Sequence, residues 1–360
     1  MNRFYIVIVM LLSGCLIAGK LFAAPPEVEK ARQHGAQGEV TLLVVDSTGK
    51  PVEKAKLSVA FWGSDSSADV VASEGQTDPN GLFVAAGKTI GSMNYTITKD
   101  GYYKTTGKYW FYRPSGLDSN KNSAASPTSG EYWLYHQQEN SVKDDRWQPW
   151  NPTITLVLKE RRQPIAMYAK RIDAPVPVRD TPVGFDLEVG DWVLPHGAGK
   201  QADVYFTYKA NAQDFWTGSY ELTIACSNKM DGLVRMRKDM WSEFLSAYEA
   251  PNDGYDTGVV LSLDMTKDKI LKKDLFGAEE YLIFRVRMVL DDKGNITSAR
   301  YGKIYGPIEF GRIGKVEENR GGVRFTCYFN PTANDRNLEF DPSQNLFNWR
   351  HDARERPYMP

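Results

Sequence analysis

The sequence predicts an all-β chain made of two sandwich-like domains, the second carrying one short helix. Three observations predict this. Aromatic residues make up 12% of the chain, with nine Trp and 19 Tyr, a composition that suits pleated, half-buried surfaces. Short runs alternate apolar and polar residues and are separated by turns of Gly, Pro, Asn and Asp. Apolar residues at helical spacing occur convincingly in one stretch, Met240 to Tyr248. A chain of 360 residues is long enough for two cores. Its 44 basic and 45 acidic residues nearly cancel. That balance gives no electrostatic drive toward nucleic acid, and no nucleic-acid partner is expected.

Residues 1–23 read as an export signal. Asn2-Arg3 is a short cationic start, and Phe4 to Leu12 is an unbroken apolar run too short to span a bilayer by itself. It closes on Leu12-Ser13-Gly14-Cys15, which resembles a bacterial lipobox. The resemblance implies lipid attachment at Cys15 and a membrane partner through that lipid. An ordinary signal cut near Gly19 or Ala23, or an uncleaved anchor broken by Lys20, are the other readings, and all three export the chain. Residues 24–37 are polar around Pro25-Pro26 and form a tether.

The first domain is placed at 38–160. Glu39 to Asp46 alternates as a strand, and Ser47 to Val52 is a turn in which Gly49 supplies positive φ and Pro51 fixes the exit. Ala55 to Trp62 is the next strand. Thr77-Asp78-Pro79-Asn80-Gly81 turns into Leu82-Phe83-Val84, and Met93 to Thr98 leads to the turn Lys99-Asp100-Gly101. Pro152 to Lys159 supplies a last strand. This order of turns and strands, with Gly-Gln-Thr-Asp-Pro-Asn-Gly-Leu-Phe at its centre, resembles the carboxypeptidase regulatory-like domain. The resemblance covers about a third of the chain. It implies a seven-stranded, transthyretin-type sandwich that binds or stabilises and has no catalysis of its own.

An insertion is expected at 105–150. Its middle, Ser115 to Gly130, is rich in Ser, Asn, Gly and Pro. Its flanks are aromatic, and Trp110, Tyr132, Trp133 and Trp147 are the candidate ligand-binding residues. One reading is a platform on which an extracellular carbohydrate or peptide stacks, because aromatic faces offer area at little rotamer cost. The other is a small core that pins the insertion.

Residues 161–182 hold several prolines and read as an extended linker. The second domain, 183–360, resembles no family. Its strongest signal is a hairpin, Tyr281 to Leu290 returning as Ile296 to Tyr305 around Asp291 to Asn295. Strict alternation puts Leu282, Phe284, Val286, Met288 and Leu290 on one face, and Tyr281, Ile283, Arg285, Arg287 and Val289 on the other. With Cys15 lipidated or removed, Cys226 and Cys327 remain as an even pair on apolar strand phases. They form either a disulfide or two buried thiols. The tail beyond Asn330 is expected to wrap back over the domain.

Motifs of catalysis are missing from the sequence. The four His have no metal-ligand spacing, no Gly-x-Ser-x-Gly elbow occurs, and no acidic loop has calcium spacing. His196-Gly197-Ala198-Gly199-Lys200 lacks phosphate-loop spacing. No metal and no cofactor is expected. The sequence therefore points to a non-catalytic binding or structural module of the cell envelope. The alternative is an envelope hydrolase with its site in the second domain, around Trp192, His196 and His351.

Overall fold

The computed structural model describes residues 30, 33–62, 70–110, 151–347 and 355–360, except 215, 240, 268, 276, 278, 316, 317 and 319. The expected export signal with Cys15, the candidate residues Tyr132, Trp133 and Trp147, and His351 lie outside the described residues. Among the described residues no helix is long and apolar enough to cross a membrane.

Among the described residues seven strands form the first sandwich: β1 (Ala36–Asp46), β2 (Lys56–Trp62), β3 (Val70–Gln76), β4 (Leu82–Thr89), β5 (Ser92–Thr98), β6 (Thr105–Trp110) and β7 (Thr153–Leu158). They divide into a sheet ordered β4-β1-β7 and one ordered β3-β2-β5-β6. β7 runs parallel to β1, and the other neighbours are antiparallel. Alternation fills the space between the sheets with Val40, Leu42 and Val44 from β1, Leu57, Val59 and Phe61 from β2, and Leu156 and Leu158 from β7. Each such side chain contributes about 1.5–3 kcal/mol relative to exposure. The turn chemistry is as expected. Asp78 Oδ1 accepts from Asn80 N at 2.9 Å and Leu82 N at 2.8 Å. Gly81 sits at φ +75°, and a Cβ there would strike the Val44 carbonyl. One boundary is corrected. The expected insertion began at residue 105, yet Thr105 to Trp110 is β6, the edge strand beside β5. Trp110 ends that strand opposite Ser92.

Among the described residues eleven strands form the second sandwich: β8 (Tyr168–Pro175), β9 (Val183–Asp186), β10 (Asp191–Trp192), β11 (Val204–Ala212), β12 (Gly218–Cys226), β13 (Gly232–Arg237), β14 (Gly258–Thr266), β15 (Lys269–Asp274), β16 (Glu280–Leu290), β17 (Ile296–Ile313) and β18 (Arg320–Asn330). One sheet is ordered β10-β9-β11-β12-β14-β15 and the other β13-β16-β17-β18-β8. Between them lies an aromatic core in which Phe185 meets Trp192 and Phe206 edge-on, with ring centroids 5.1 and 5.6 Å apart. The expected linker is thus part strand. Tyr168 to Pro175 holds no proline before its last residue, so every other amide is free to join the ladder, and β8 pairs along β18.

The helix expected at Met240 to Tyr248 does not form over its described residues, Trp241 to Tyr248. Its aromatics are drawn to different partners: Trp241 stacks on Tyr95 of the first sandwich, while Phe244 packs on Tyr103 and Tyr248. Ser242 Oγ accepts from Phe244 N at 3.1 Å, a local bond that competes with a helical one. The segment is an extended strap. It donates Glu243 N to Lys104 O at 2.8 Å and accepts Thr106 N on Trp241 O at 2.9 Å. Gly107 makes room for this contact, since a Cβ there would collide with Tyr95 and Trp241.

The β16–β17 hairpin forms in the expected place, but one face assignment changes. A bulge at Arg287, whose φ is +56°, shifts the register between Val286 and Val289. Asp231 holds it, accepting Arg287 N at 3.1 Å and Met288 N at 2.9 Å. The alternation inverts there. Met288 and Leu290 join Tyr281 and Ile283 on the outer face, whereas Leu282, Phe284 and Val286 face the inter-sheet core. That outer face is covered by Leu338 and Phe340 of the tail, which wraps back as expected.

Cys226 and Cys327 are free thiols, so the disulfide is not formed. Each enters the inter-sheet core as a small apolar side chain, and the Cys327 thiol donates to Leu187 O at 3.7 Å. Burial pushes the Cys226 thiol up to about 12, the nearby Asp231 and Asp203 adding to it. Cys327 is raised for the same reason.

Candidate functional site

The sandwiches meet along the strap and the tail, and a buried carboxylate organises the meeting. Glu339 is 1% exposed. Its Oε1 accepts from Tyr103 Oη at 2.9 Å and Arg162 N at 2.9 Å, and its Oε2 accepts from Gln163 N at 2.6 Å. Lys159, just past β7, donates to Phe244 O at 3.0 Å and Ser246 O at 2.9 Å. First sandwich, linker, strap and tail are therefore tied at one point.

Over this point opens a groove of about 380 Å³, lined by Arg162, Gln163, Tyr248, Glu249, Asn334, Asp335, Arg336, Asn337 and Glu339. Junctions between folded units are a common place for small-molecule sites. The floor is a self-satisfied comb of polar side chains. Asp335 Oδ1 accepts from Asn337 N at 3.0 Å, and its Oδ2 accepts from Asn330 Nδ2 at 3.0 Å. Asn337 Oδ1 accepts from Glu339 N at 2.8 Å, and its Nδ2 donates to Gln163 O at 2.7 Å. Such reciprocal bonding fixes the floor before any ligand arrives. On the walls, the Arg162 guanidinium lies 3.9 Å from the Tyr248 ring centroid, and Tyr248 Oη donates to Glu160 O at 2.6 Å. Arg336 donates its Nε to Ala250 O at 2.6 Å and stands 3.7 Å from Glu249.

Behind the groove lies a second constellation. Lys303 is fully buried on β17; its Nζ donates to Ser246 Oγ and Tyr305 Oη, each at 2.9 Å. Phe244, Tyr305 and Tyr328 surround it at 4.7–5.0 Å. Among the described residues no carboxylate comes within ion-pair reach. Burial holds the Lys303 amine well below its ordinary range, with nearby Lys159 acting in the same direction and Glu339 opposing.

A third constellation closes the far end of the second sandwich. The bulge aims Arg287 at three carboxylates. Its Nε donates to Asp203 Oδ1 at 2.8 Å, its NH2 to Asp186 Oδ1 at 3.0 Å, and its NH1 to Glu188. The guanidinium also lies 5.0 Å from the Phe329 ring centroid. Burial opposes its charge, but the bonds to Asp203 and Glu188 outweigh that and hold it above its ordinary value. The arrangement fixes β9, β11 and β16 to one another. Among the described residues no group of three or more His, Cys, Asp or Glu could hold a metal.

The sequence-derived site residues are only partly placed. Trp110 is the last residue of β6, and its presumed neighbours Tyr132, Trp133 and Trp147 lie outside the described residues. For the hydrolase alternative, Trp192 is buried in the inter-sheet core and His196 is exposed on the turn after β10, so these two do not converge on a shared pocket. Sequence reasoning missed the groove. Arg162 lies in the expected linker and Tyr248 at the end of the expected helix, and neither position carries a motif that marks a site.

No family model matches this chain, and no curated protein matches it. Among solved structures, it is similar to 3-chlorocatechol 1,2-dioxygenase from Rhodococcus opacus at 14% identity and TM-score 0.24, over 36% of this chain and 61% of that one. It is similar to a shaft pilin from Lactobacillus rhamnosus GG at 11% identity and TM-score 0.21, over 55% and 90%. A DUF3823 family protein from Parabacteroides merdae matches at 9% identity and TM-score 0.19, over 70% and 91%. The chain spans less than two thirds of the length of the dioxygenase. Likenesses at this level say nothing about the site.

Proposed function

We propose that this chain is an exported protein of the bacterial cell envelope, held at a membrane by lipid on Cys15, that binds carbohydrate without catalysis. The groove above Glu339 is the binding site. The observation that carries this reading is the floor, where Asp335, Asn337 and Glu339 are already bonded to one another and to the backbone. A rigid polar floor suits a hydroxyl-rich ligand, because the ordering cost has been met in folding. Among the described residues no aliphatic side chain lines the groove, so an apolar peptide side chain would find little to pack against there. Export rests on the apolar run Phe4 to Leu12 and the lipobox-like Leu12 to Cys15.

A glycan array probed with the full chain tests the ligand class. Gln163→Trp fills the groove from an exposed side chain while keeping the backbone bonds to Glu339 and Asn337. It is expected to abolish every glycan signal, whereas Trp133→Ala in the insertion is expected to leave the signals intact. The opposite pattern would move the site to the insertion, and a blank array would sink the carbohydrate reading. For the anchor, Cys15→Ser is expected to shift the chain from the membrane fraction to the soluble one. A variant that still sediments with membranes would count against lipid at Cys15.

A further inference from the structure

We infer that the groove is built for an acidic saccharide, with Arg162 receiving the sugar carboxylate; this rests on the reading of the groove as a carbohydrate site. The groove's charged groups are not equally engaged. Asp335 and Glu339 have both oxygens occupied by protein donors. Arg336 is spent on Ala250 O, Asn252 and Glu249. Arg162 differs. Among the described residues its guanidinium has no carboxylate within ion-pair reach, and its one hydrogen bond is a long one to Ser47 Oγ, 3.4 Å.

Its posture fits the role. The guanidinium carbon lies 3.9 Å from the Tyr248 ring centroid, which holds the group in place, and among the described residues only its Nη2 has a protein partner, the long bond to Ser47 Oγ. A planar fork held in place is the geometry that takes a carboxylate through two parallel bonds. Gln163 is the next residue, and its side-chain amide has no protein partner among the described residues, so it offers a donor and an acceptor to neighbouring hydroxyls. Glu249 is 69% exposed at the rim and can accept from a further hydroxyl. A cation with an open fork, an open amide and a rim acceptor around a rigid polar floor match a uronic acid better than a neutral sugar. The Arg162 backbone N–H, not its side chain, makes the structural bond to Glu339, so the side chain can be replaced without loosening the junction.

The test is calorimetric titration of the full chain with tri-galacturonate and with its methyl ester, which keeps the ring hydroxyls and removes the charge. The acid is expected to bind the parent chain and to weaken roughly 10- to 100-fold in Arg162→Ala, the effect of one lost charge-assisted bond pair. Arg162→Lys, which keeps the charge and loses the fork, is expected to fall between. The ester is expected to bind the parent chain no better than the acid binds Arg162→Ala. Equal affinity for acid and ester, or an Arg162→Ala chain that binds the acid as the parent does, would overturn the inference. If Gln163→Trp still abolished binding of both sugars in that case, the groove would remain a saccharide site and only the acidic specificity would be lost. Binding that survives Gln163→Trp would overturn both. Binding of neither sugar would overturn the acidic specificity and leave the glycan array to decide the wider reading.

Discussion

Arg287→Ala is expected to lower the unfolding free energy by about 3–5 kcal/mol, the cost of leaving buried carboxylates without their cation. Asp203 and Asp186 side chains are 0% and 3% exposed. Backbone donors do not replace what is lost. Among the described residues Asp203 keeps only Leu187 N, at 2.9 Å, whereas Asp186 keeps Lys200 N at 2.9 Å and three longer bonds. Arg287→Lys should recover little, because one ammonium on a flexible stem cannot serve three carboxylates at once. The sign with pH is also set. In the Ala variant the orphaned Asp203 has its pKa raised further above the unfolded value, so the folded state gains a proton, and relative stability, as pH falls. Urea unfolding of parent and variant at neutral and mildly acidic pH reads both effects. A penalty below about 1 kcal/mol would mean that the network is worth no more than an exposed pair, as would a penalty that grows on acidification.

Lys303→Met is expected to raise stability at neutral pH and to flatten its pH dependence. Burial without a carboxylate partner depresses the folded-state pKa well below the ordinary lysine value of 10.5. The unfolded chain therefore holds a proton that the folded chain has given up. Stability then rises with pH between the depressed folded value and 10.5, by up to about 1.4 kcal/mol per unit, and is lost as pH falls through the folded value. Methionine keeps the stem's volume and removes the amine, for an expected gain of about 1–3 kcal/mol. Neighbouring groups leave a residual slope. Lys238, which donates to Gly306 O at 2.6 Å, is lowered to about 8 by burial against the pull of Glu279, and Lys159 is lowered too. The buried phenols of Tyr305 and Tyr328 are raised, and they reverse the trend only once unfolded tyrosine ionises, near pH 10. Denaturant midpoints between about pH 7 and 9.5 are therefore the measurement. Parallel profiles for parent and variant would mean that Lys303 does not carry the linkage.

Local chemistry made much of the fold legible. Asp78, Asn80 and Gly81 announce their turn because each residue type does one steric or hydrogen-bonding job there. The β16–β17 hairpin announces itself by alternation on both sides of a glycine turn. Two features misled for equally physical reasons. Trp241, Phe244, Leu245 and Tyr248 have helical spacing, but tertiary packing sends the rings to separate partners, and spacing alone carries no information about that. The bulge at Arg287 uses a residue other than glycine, so the inverted phase of Met288 leaves no local mark. The groove was illegible because its walls are joined through Glu339 from linker, strap and tail, and no short window contains two of them.

The groove's make-up also sets when it can exist. Domains tend to fold in the order in which they leave the ribosome or a translocation channel. The first sandwich is complete once β7 has emerged, with Arg162 a few residues behind it, while Arg336, Asn337 and Glu339 arrive only after β18. A partly synthesised chain can therefore present a folded first sandwich and still lack the floor of the groove. On the proposed reading, competence to bind belongs to the finished molecule, and a chain clipped after β18 would keep most of its sheets and lose the groove.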